Sequence, residues 1–193
     1  MYSLSLLGYC LMSNHVHLIA VPGMPDSLAQ TLKQVHGRYA SYWNTKRSTS
    51  GHVWQGRFYS CPLDETHVWE ALRYAELNPV RAGLTESASA WPWSSALAHC
   101  TDATSHPLLA MPTWQNRWTP QEWQEFLESR YASDSAAELR RCTHTGRPMG
   151  NPEFVAQLET RMLRILAPRR GGRPKKVAGM GRQLTLASVA RAS

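Results

Sequence analysis

The sequence predicts a mixed α+β fold in which strands come first and helices follow. Residues 4–12 and 15–21 are apolar, rich in branched side chains, and separated by a two-residue polar break. This pattern is typical of two antiparallel strands. Residues 52–61 are rich in aromatic side chains, which favours a third strand. The rest of the chain carries signals for helices, so we expect a small antiparallel sheet joined to a helical remainder.

Helix start and stop signals organise the segments around the third predicted strand. Asp26 can cap a helix that runs to about Lys46. Asp64 opens another helix that reaches about Leu77, where Pro79 stops it because proline disfavours helical geometry in the residue before it. The apolar residues at helical spacing on the first of these helices are expected to belong to the core: Leu28, Leu32, Val35 and Tyr39.

Two further helices are predicted in the second half of the chain. Thr119 and Glu122 form a capping box that leads a helix to about Tyr131, and Asn151 begins another. We therefore predict an amino-terminal domain, a helical extension and a basic flexible tail, with these bounds: 1–98, 99–167 and 168–193.

Positive charge is concentrated at the carboxyl terminus. Residues 161–193 contain nine Arg or Lys and no Asp or Glu, whereas the first 160 residues hold 12 basic and 14 acidic residues, a sum of −2. A cationic segment on a near-neutral body is expected to bind a polyanion, and nucleic acid is the obvious candidate. A tail that only keeps the protein soluble fits the composition equally well.

Cysteine spacing and hydropathy exclude several classes of protein. The four cysteines lie far apart without a CxxC pair, and no secretory signal precedes them, so neither a zinc ribbon nor a disulfide framework is indicated. No apolar run approaches the roughly 20 residues of a membrane-spanning helix. We expect reduced thiols in a soluble, cytoplasmic protein.

Two pairs of residues could carry chemistry. His15 and His17 lie on the same side of a strand, because side chains alternate between faces. Tyr74 and Asn78 are four apart on one helical face, where they offer a phenol and an amide oxygen. Taken alone, each pair is more often an ordinary structural feature, but together they complement each other, since a nucleophile needs a metal and a metal needs a third ligand.

Five ordered motifs resemble a known family. They are Tyr9–Ile19 (YCLMSNHVHLI), His52–Phe58 (HVWQGRF), Tyr74–Leu84 (YAELNPVRAGL), Trp91–Ser95 (WPWSS) and Gly146–Gly150 (GRPMG). In this order they resemble the REP-associated tyrosine transposases, which are single-tyrosine HUH enzymes related to the insertion-sequence 200 group. The resemblance extends over almost the whole chain.

The resemblance implies a ferredoxin-like α+β catalytic domain and a specific set of roles. His15, His17 and Asn78 would be ligands of a divalent metal ion, Mg²⁺ or Mn²⁺. Tyr74 would attack a phosphorus atom of single-stranded DNA, giving a 5′-phosphotyrosine and a free 3′ hydroxyl. The implied partner is single-stranded or hairpin DNA, bound by a monomer or homodimer in the bacterial cytoplasm, in association with the nucleoid.

Cations and aromatic rings near these motifs are candidates for DNA contacts, because phosphate-pairing charges interleaved with stacking rings are what single-stranded DNA binding needs. The tail segment from residue 171 to 176 is also similar to an AT-hook, an arm that enters the minor groove. The predicted DNA-binding residues are Arg38, Arg47, Trp54, Arg57, Arg73, Arg81, Arg173, Lys175 and Lys176.

The sequence departs from the family at its amino terminus. Family members usually place a strand and a helix before the histidine strand, whereas His15 lies close to residue 1, so we expect an amino-terminally truncated domain. This leaves an active DNA strand transferase and a DNA-binding remnant without turnover as alternatives. A zinc phosphoesterase built on the histidine pair ranks last, because the carboxylates that such sites recruit are missing near the pair.

Overall fold

The computed structural model describes residues 3–129 and 133–166. Within these ranges two strands precede a series of helices, which confirms the predicted α+β class with a helical carboxyl-terminal region. The elements are β1 (Leu4–Leu11), β2 (Val16–Pro22), α1 (Ser27–Arg47), α2 (Glu65–Glu76), α3 (Asn78–Arg81), a 3₁₀ turn (Ala88–Ala90), α4 (Ala96–His99), α5 (Met111–Gln115), α6 (Pro120–Glu128), α7 (Ser133–Thr145) and α8 (Pro152–Met162).

β1 and β2 form the predicted antiparallel pair. Their register places Cys10 opposite His17, and an irregularity lies between Leu6 and Gly8. A Cβ atom built on Gly8 would lie 2.1 Å from Leu72 Cδ1 of α2. Only glycine therefore lets β1 approach α2 this closely, and the approach brings the histidine strand next to the helix that carries Tyr74.

Residues 52–61, predicted as a third strand, do not form one, and this prediction is wrong. The segment is held by side chains instead, because the Trp54 indole donates to the carbonyl oxygen of His36 on α1 at 3.0 Å and stacks on its ring. Gly51 and Gly56 weaken any strand here. Aromatic enrichment reports a half-buried environment more than a backbone preference, which explains the error.

Helix α1 begins and ends close to its predicted bounds, but Asp26 makes no side-chain capping hydrogen bond, and two of the four expected core residues are exposed. Leu32 is 6% exposed, whereas Val35 is 52% and Tyr39 is 41% exposed. The core prediction is thus right for Leu32 and wrong for Val35 and Tyr39. The reason is that the buried residues of α1, Ser27 and Leu32, both lie in its first two turns.

Helix α2 is the central element of the fold. Asp64 caps it as predicted, accepting from the backbone N–H groups of Thr66 and His67. Residues 71–76 of α2 are all buried. Leu72 packs with Trp114 and Trp123 in one core cluster, and Ala71 and Tyr74 pack with residues of α7 in a second.

The two later helix starts are also confirmed. Thr119 and Glu122 form the expected capping box, although α6 ends at Glu128, before the expected Tyr131. Asn151 accepts from the N–H of Phe154 at the start of α8. Both core clusters join α2 to helices that follow residue 98, and the division of the chain at that residue stays a prediction.

Candidate active site

The two predicted histidines lie side by side at the start of β2. Their ring centroids are 4.9 Å apart with perpendicular planes. His15 is exposed, and its Nδ1 lies 2.6 Å from the Asn14 side-chain oxygen. His17 is half-buried and shares a sheet face with Cys10, its completely buried partner on β1. The pair therefore combines one imidazole in solvent with one turned towards the interior.

Burial keeps the inner imidazole neutral. It lowers the pKa of His17 to about 4, with smaller contributions from the nearby charges of His15 and Arg81. The His17 Nε2 atom is buried and has no hydrogen-bond partner among the described residues. Buried polar atoms are nearly always paired, so an orphaned imidazole nitrogen indicates a place for a ligand.

Tyr74 lies beside this histidine pair. Its ring centroid is 5.8 Å from that of His17, and the tyrosine is buried in the last turns of α2. The Arg81 guanidinium lies 3.9 Å from the centre of the Tyr74 ring and donates to the Tyr74 carbonyl oxygen at 2.8 Å. The site thus places a neutral imidazole and a cation near the same phenol.

Asn78 follows Tyr74 by four residues and begins α3. Its amide nitrogen is buried and, in the described part of the chain, has no hydrogen-bond partner. Because amide oxygen and nitrogen positions are interchangeable by a flip, this orphaned atom marks an unsatisfied amide end. The donors of His15, His17 and Asn78 fit a divalent cation chemically, and their convergence on one point stays a prediction.

A zinc site of the usual kind is not supported by the arrangement. Over residues 3–129 and 133–166, no group of three His, Cys, Asp or Glu side chains is placed to hold a metal ion. Zinc sites draw most of their ligands from these residue types.

A buried polar cluster behind Tyr74 was missed by the sequence analysis. Glu76 is completely buried, and its carboxylate accepts from the Ser95 hydroxyl at 2.5 Å and from the Trp123 indole at 2.8 Å. The Nδ1 atom of His99, also completely buried, lies 2.7 Å from the same carboxylate. Ser95 further bonds to the Tyr9 backbone of β1. The cluster ties α2 to β1, α4 and α6. The sequence signals for it were two of the quoted motifs, since Glu76 lies in YAELNPVRAGL and Ser95 lies in WPWSS.

The predicted DNA-binding residues fall into three groups. The first group lies at or near the surface and comprises the partly buried Trp54 and four exposed arginines, Arg38, Arg47, Arg57 and Arg81. Arg173, Lys175 and Lys176 lie outside the described residues.

Arg73 forms the third group, and its assignment is corrected. It is 3% exposed, and its guanidinium donates to the carbonyl oxygens of Leu127 and Ser129. It also lies over the ring of Phe126 at 4.7 Å. Arg73 therefore holds the end of α6, because its place on α2 turns it towards the interior.

One comparison with known proteins matched the amino-terminal part of the chain. Residues 1–78 match the family model described as "Transposase IS200 like". The match covers about two fifths of the chain and includes His15, His17, Tyr74 and Asn78. No curated protein and no solved structure matched the chain. Among the described residues, no helix has both the length and the apolar character needed to cross a membrane.

Proposed function

We propose that this protein is a DNA transposase of the IS200-like kind that cleaves and rejoins single-stranded DNA through Tyr74. The observation that carries the proposal is the position of Tyr74 beside His17, with both residues inside the segment that matches the family model. The match supports a transposase function. The single-tyrosine mechanism and the REP-associated subtype are our more specific proposals.

The reaction would begin with attack of the Tyr74 oxygen on a DNA phosphorus atom. A phosphorus–oxygen bond to Tyr74 forms as the bond to the 3′ oxygen breaks. The phenol proton passes to water, and the leaving 3′ oxygen takes up a proton. The products are a 5′-phosphotyrosine and a free 3′ hydroxyl, and the reverse reaction with another 3′ hydroxyl rejoins two strands.

Arg81 is placed to assist this step. Its guanidinium lies 3.9 Å from the centre of the Tyr74 ring, and it is an exposed residue that a phosphate can approach. Attack on a phosphodiester increases negative charge on the non-bridging oxygens. A fixed cation at this distance would stabilise that charge, and its bond to the Tyr74 carbonyl keeps it beside the nucleophile.

His15, His17 and Asn78 are the residues that would hold Mg²⁺ or Mn²⁺. Two imidazoles and one amide oxygen leave coordination positions open for phosphate and water. Such an open site suits Mg²⁺ or Mn²⁺ turnover, whereas a closed structural site does not. When bound, the ion would supply positive charge to the phosphate oxygens. Support comes from the orphaned Nε2 of His17 and the unsatisfied amide of Asn78.

The decisive experiment is a denaturing gel of labelled single-stranded hairpin DNA incubated with the protein and Mn²⁺ or Mg²⁺. The unaltered chain should give a protein-linked strand, and Tyr74→Phe should give none while binding DNA with nearly unchanged affinity. Tyr59→Phe is the matched control, because this tyrosine is 63% exposed and packs against His144. It should cleave normally. An adduct formed by Tyr74→Phe would assign the nucleophile to another tyrosine.

The metal proposal has its own variant. His17→Ala should lose cleavage, and a higher Mn²⁺ concentration should restore part of that cleavage. The same Mn²⁺ concentration should restore no cleavage to Tyr74→Phe. If the unaltered chain binds hairpin DNA and never forms an adduct, the alternative of a DNA-binding protein without turnover is correct.

A further inference from the structure

The segment between Asp26 and Asp64 has an unusual charge. Residues 27–63 contain five Lys or Arg and no Asp or Glu. The other residues of the first 160 therefore hold 7 basic and 14 acidic residues, a sum of −7. The net charge of the first 160 residues is therefore close to zero although one region, α1 and the loop after it, is strongly positive. Such a region attracts a polyanion.

The second half of α1 and this loop carry a row of aromatic rings. The Trp54 ring stacks on His36 at 4.1 Å, and Tyr39 lies 5.5 Å from Trp54 and 5.9 Å from Trp43. Tyr42 follows at 6.5 Å from Tyr39 and is 57% exposed. We call these five residues the aromatic row. Tyr39 and Tyr42 are exposed and the other three rings are only partly buried, so the row is not part of the core and requires another explanation.

Cations are interleaved with the aromatic row. The Arg47 guanidinium lies 4.2 Å over the Trp43 ring. Lys46 Nζ donates to the Tyr42 hydroxyl at 3.2 Å. Arg57 lines an open groove of about 450 Å³ that also contains Trp54 and lies between α1 and the loop. Tyr42 and Trp43 thus each have a cation beside the ring, and Trp54 shares its groove with one.

We propose that the aromatic row is a binding site for unpaired bases of single-stranded DNA, separate from the cleavage site at Tyr74. Bases would stack on the rings while phosphates pair with Lys46, Arg47 and Arg57. Double-stranded DNA does not fit, because its base faces are already stacked. A symmetric pairing of two copies through this region does not fit either, since two segments without Asp or Glu would bring like charges together. The identification of the polymer as DNA rests on the proposed function.

The test is equilibrium binding of an unstructured, fluorescently labelled oligothymidylate, in the Tyr74→Phe background so that no cleavage occurs. Tyr42→Ala and Trp43→Ala should each weaken binding about tenfold, because stacking contributes roughly 1–3 kcal/mol per base and 1.4 kcal/mol is a factor of ten. Tyr59→Ala is the matched control and should bind within about twofold of the parent, since its exposed ring packs on α7 and not on α1.

The charge contribution has a separate readout. Each phosphate contact on a single strand contributes roughly 0.7 to the slope of log affinity against log salt. The double variant Lys46→Ala with Arg47→Ala removes two such contacts and should lower the magnitude of this slope by up to about 1.4. The control is the double variant Arg140→Ala with Arg161→Ala, which removes the same amount of charge from exposed positions outside the aromatic row. It should change the salt slope less than the Lys46 and Arg47 variant does.

Two results would overturn the inference. In the first, the Tyr42 and Trp43 variants bind DNA as tightly as the control variant. In the second, these variants dissociate a dimer in sedimentation without weakening DNA binding, and the aromatic row would then be an interface between copies. The adduct assay reports on the proposed function separately. If the unaltered chain forms no adduct while Trp43→Ala weakens binding, the cleavage proposal fails and the aromatic row stands. If the adduct forms and Trp43→Ala binds normally, only the aromatic row fails.

Discussion

Replacing Glu76 by alanine should destabilise the protein strongly. The carboxylate of Glu76 is completely buried and accepts from Ser95 and Trp123, with the His99 ring nitrogen 2.7 Å away. Ser95 has a second acceptor, the Tyr9 carbonyl oxygen at 3.2 Å, so it can remain satisfied. The His99 and Trp123 groups would lose their acceptor inside the core.

Two buried groups without a partner set the size of the effect. Each costs about 1–3 kcal/mol, so we expect a loss of about 4 kcal/mol in the free energy of unfolding. Glu76→Gln should cost only about 1 kcal/mol, because the amide oxygen can still accept from Trp123. Its NH₂ group can donate to His99 Nδ1 once that ring adopts the other tautomer.

Urea unfolding monitored by tryptophan fluorescence measures this prediction. With a denaturant dependence of about 2 kcal/mol per molar, the midpoint of Glu76→Ala should fall by about 2 M and that of Glu76→Gln by about 0.5 M. Glu65→Ala is the control on the same helix, since Glu65 is exposed in its first turn and contributes less than about 1 kcal/mol. If the midpoints of Glu76→Ala and Glu65→Ala agree within about 0.5 M, the cluster does not stabilise the fold.

Three further predictions address β1, the start of α2 and the tail. Gly8→Ala places a Cβ 2.1 Å from Leu72 Cδ1 and should cost about 1–3 kcal/mol, visible as a lower Tm; an unchanged Tm would contradict the close approach. Asp64→Ala removes a helix cap and should cost about 1–2 kcal/mol in urea unfolding at neutral pH. Burial raises the pKa of Asp64, but hydrogen bonds from the His67 backbone and ring and other groups outweigh it and hold the pKa below its usual value. The unaltered chain should therefore lose more stability than Asp64→Asn as pH falls below about 4, and equal losses would refute this. Deleting residues 168–193 removes seven cations and should lower the salt slope of single-stranded DNA binding by up to about 5, whereas an unchanged slope would exclude the tail from binding.

The features that the sequence predicted well are those set by local interactions. Asp64, Thr119 and Asn151 cap helices where expected, because a cap depends on backbone groups two or three residues away. The β1–β2 pair follows from two apolar segments and a short turn. The expected alternation of side chains placed His15, which immediately precedes β2, next to His17 of β2.

The features that the sequence predicted wrongly depend on what each segment packs against. Residues 52–61 carry strand-forming side chains but pack on α1 through Trp54 and form no strand. Arg73 has the residue type of a phosphate contact, yet its position on α2 turns it into the interior. Val35 and Tyr39 have core spacing, but the second half of α1 lies in solvent.

The amino-acid sequence by itself determined which residues could carry the chemistry and which local elements would present them. Only the tertiary structure decided that Tyr74 lies 5.8 Å from His17, with Glu76 buried behind it and bonded to groups from distant parts of the chain. The physical reason is that caps and strand alternation involve neighbours in sequence. Burial and long-range hydrogen bonds depend instead on which surfaces meet when the helices pack around α2.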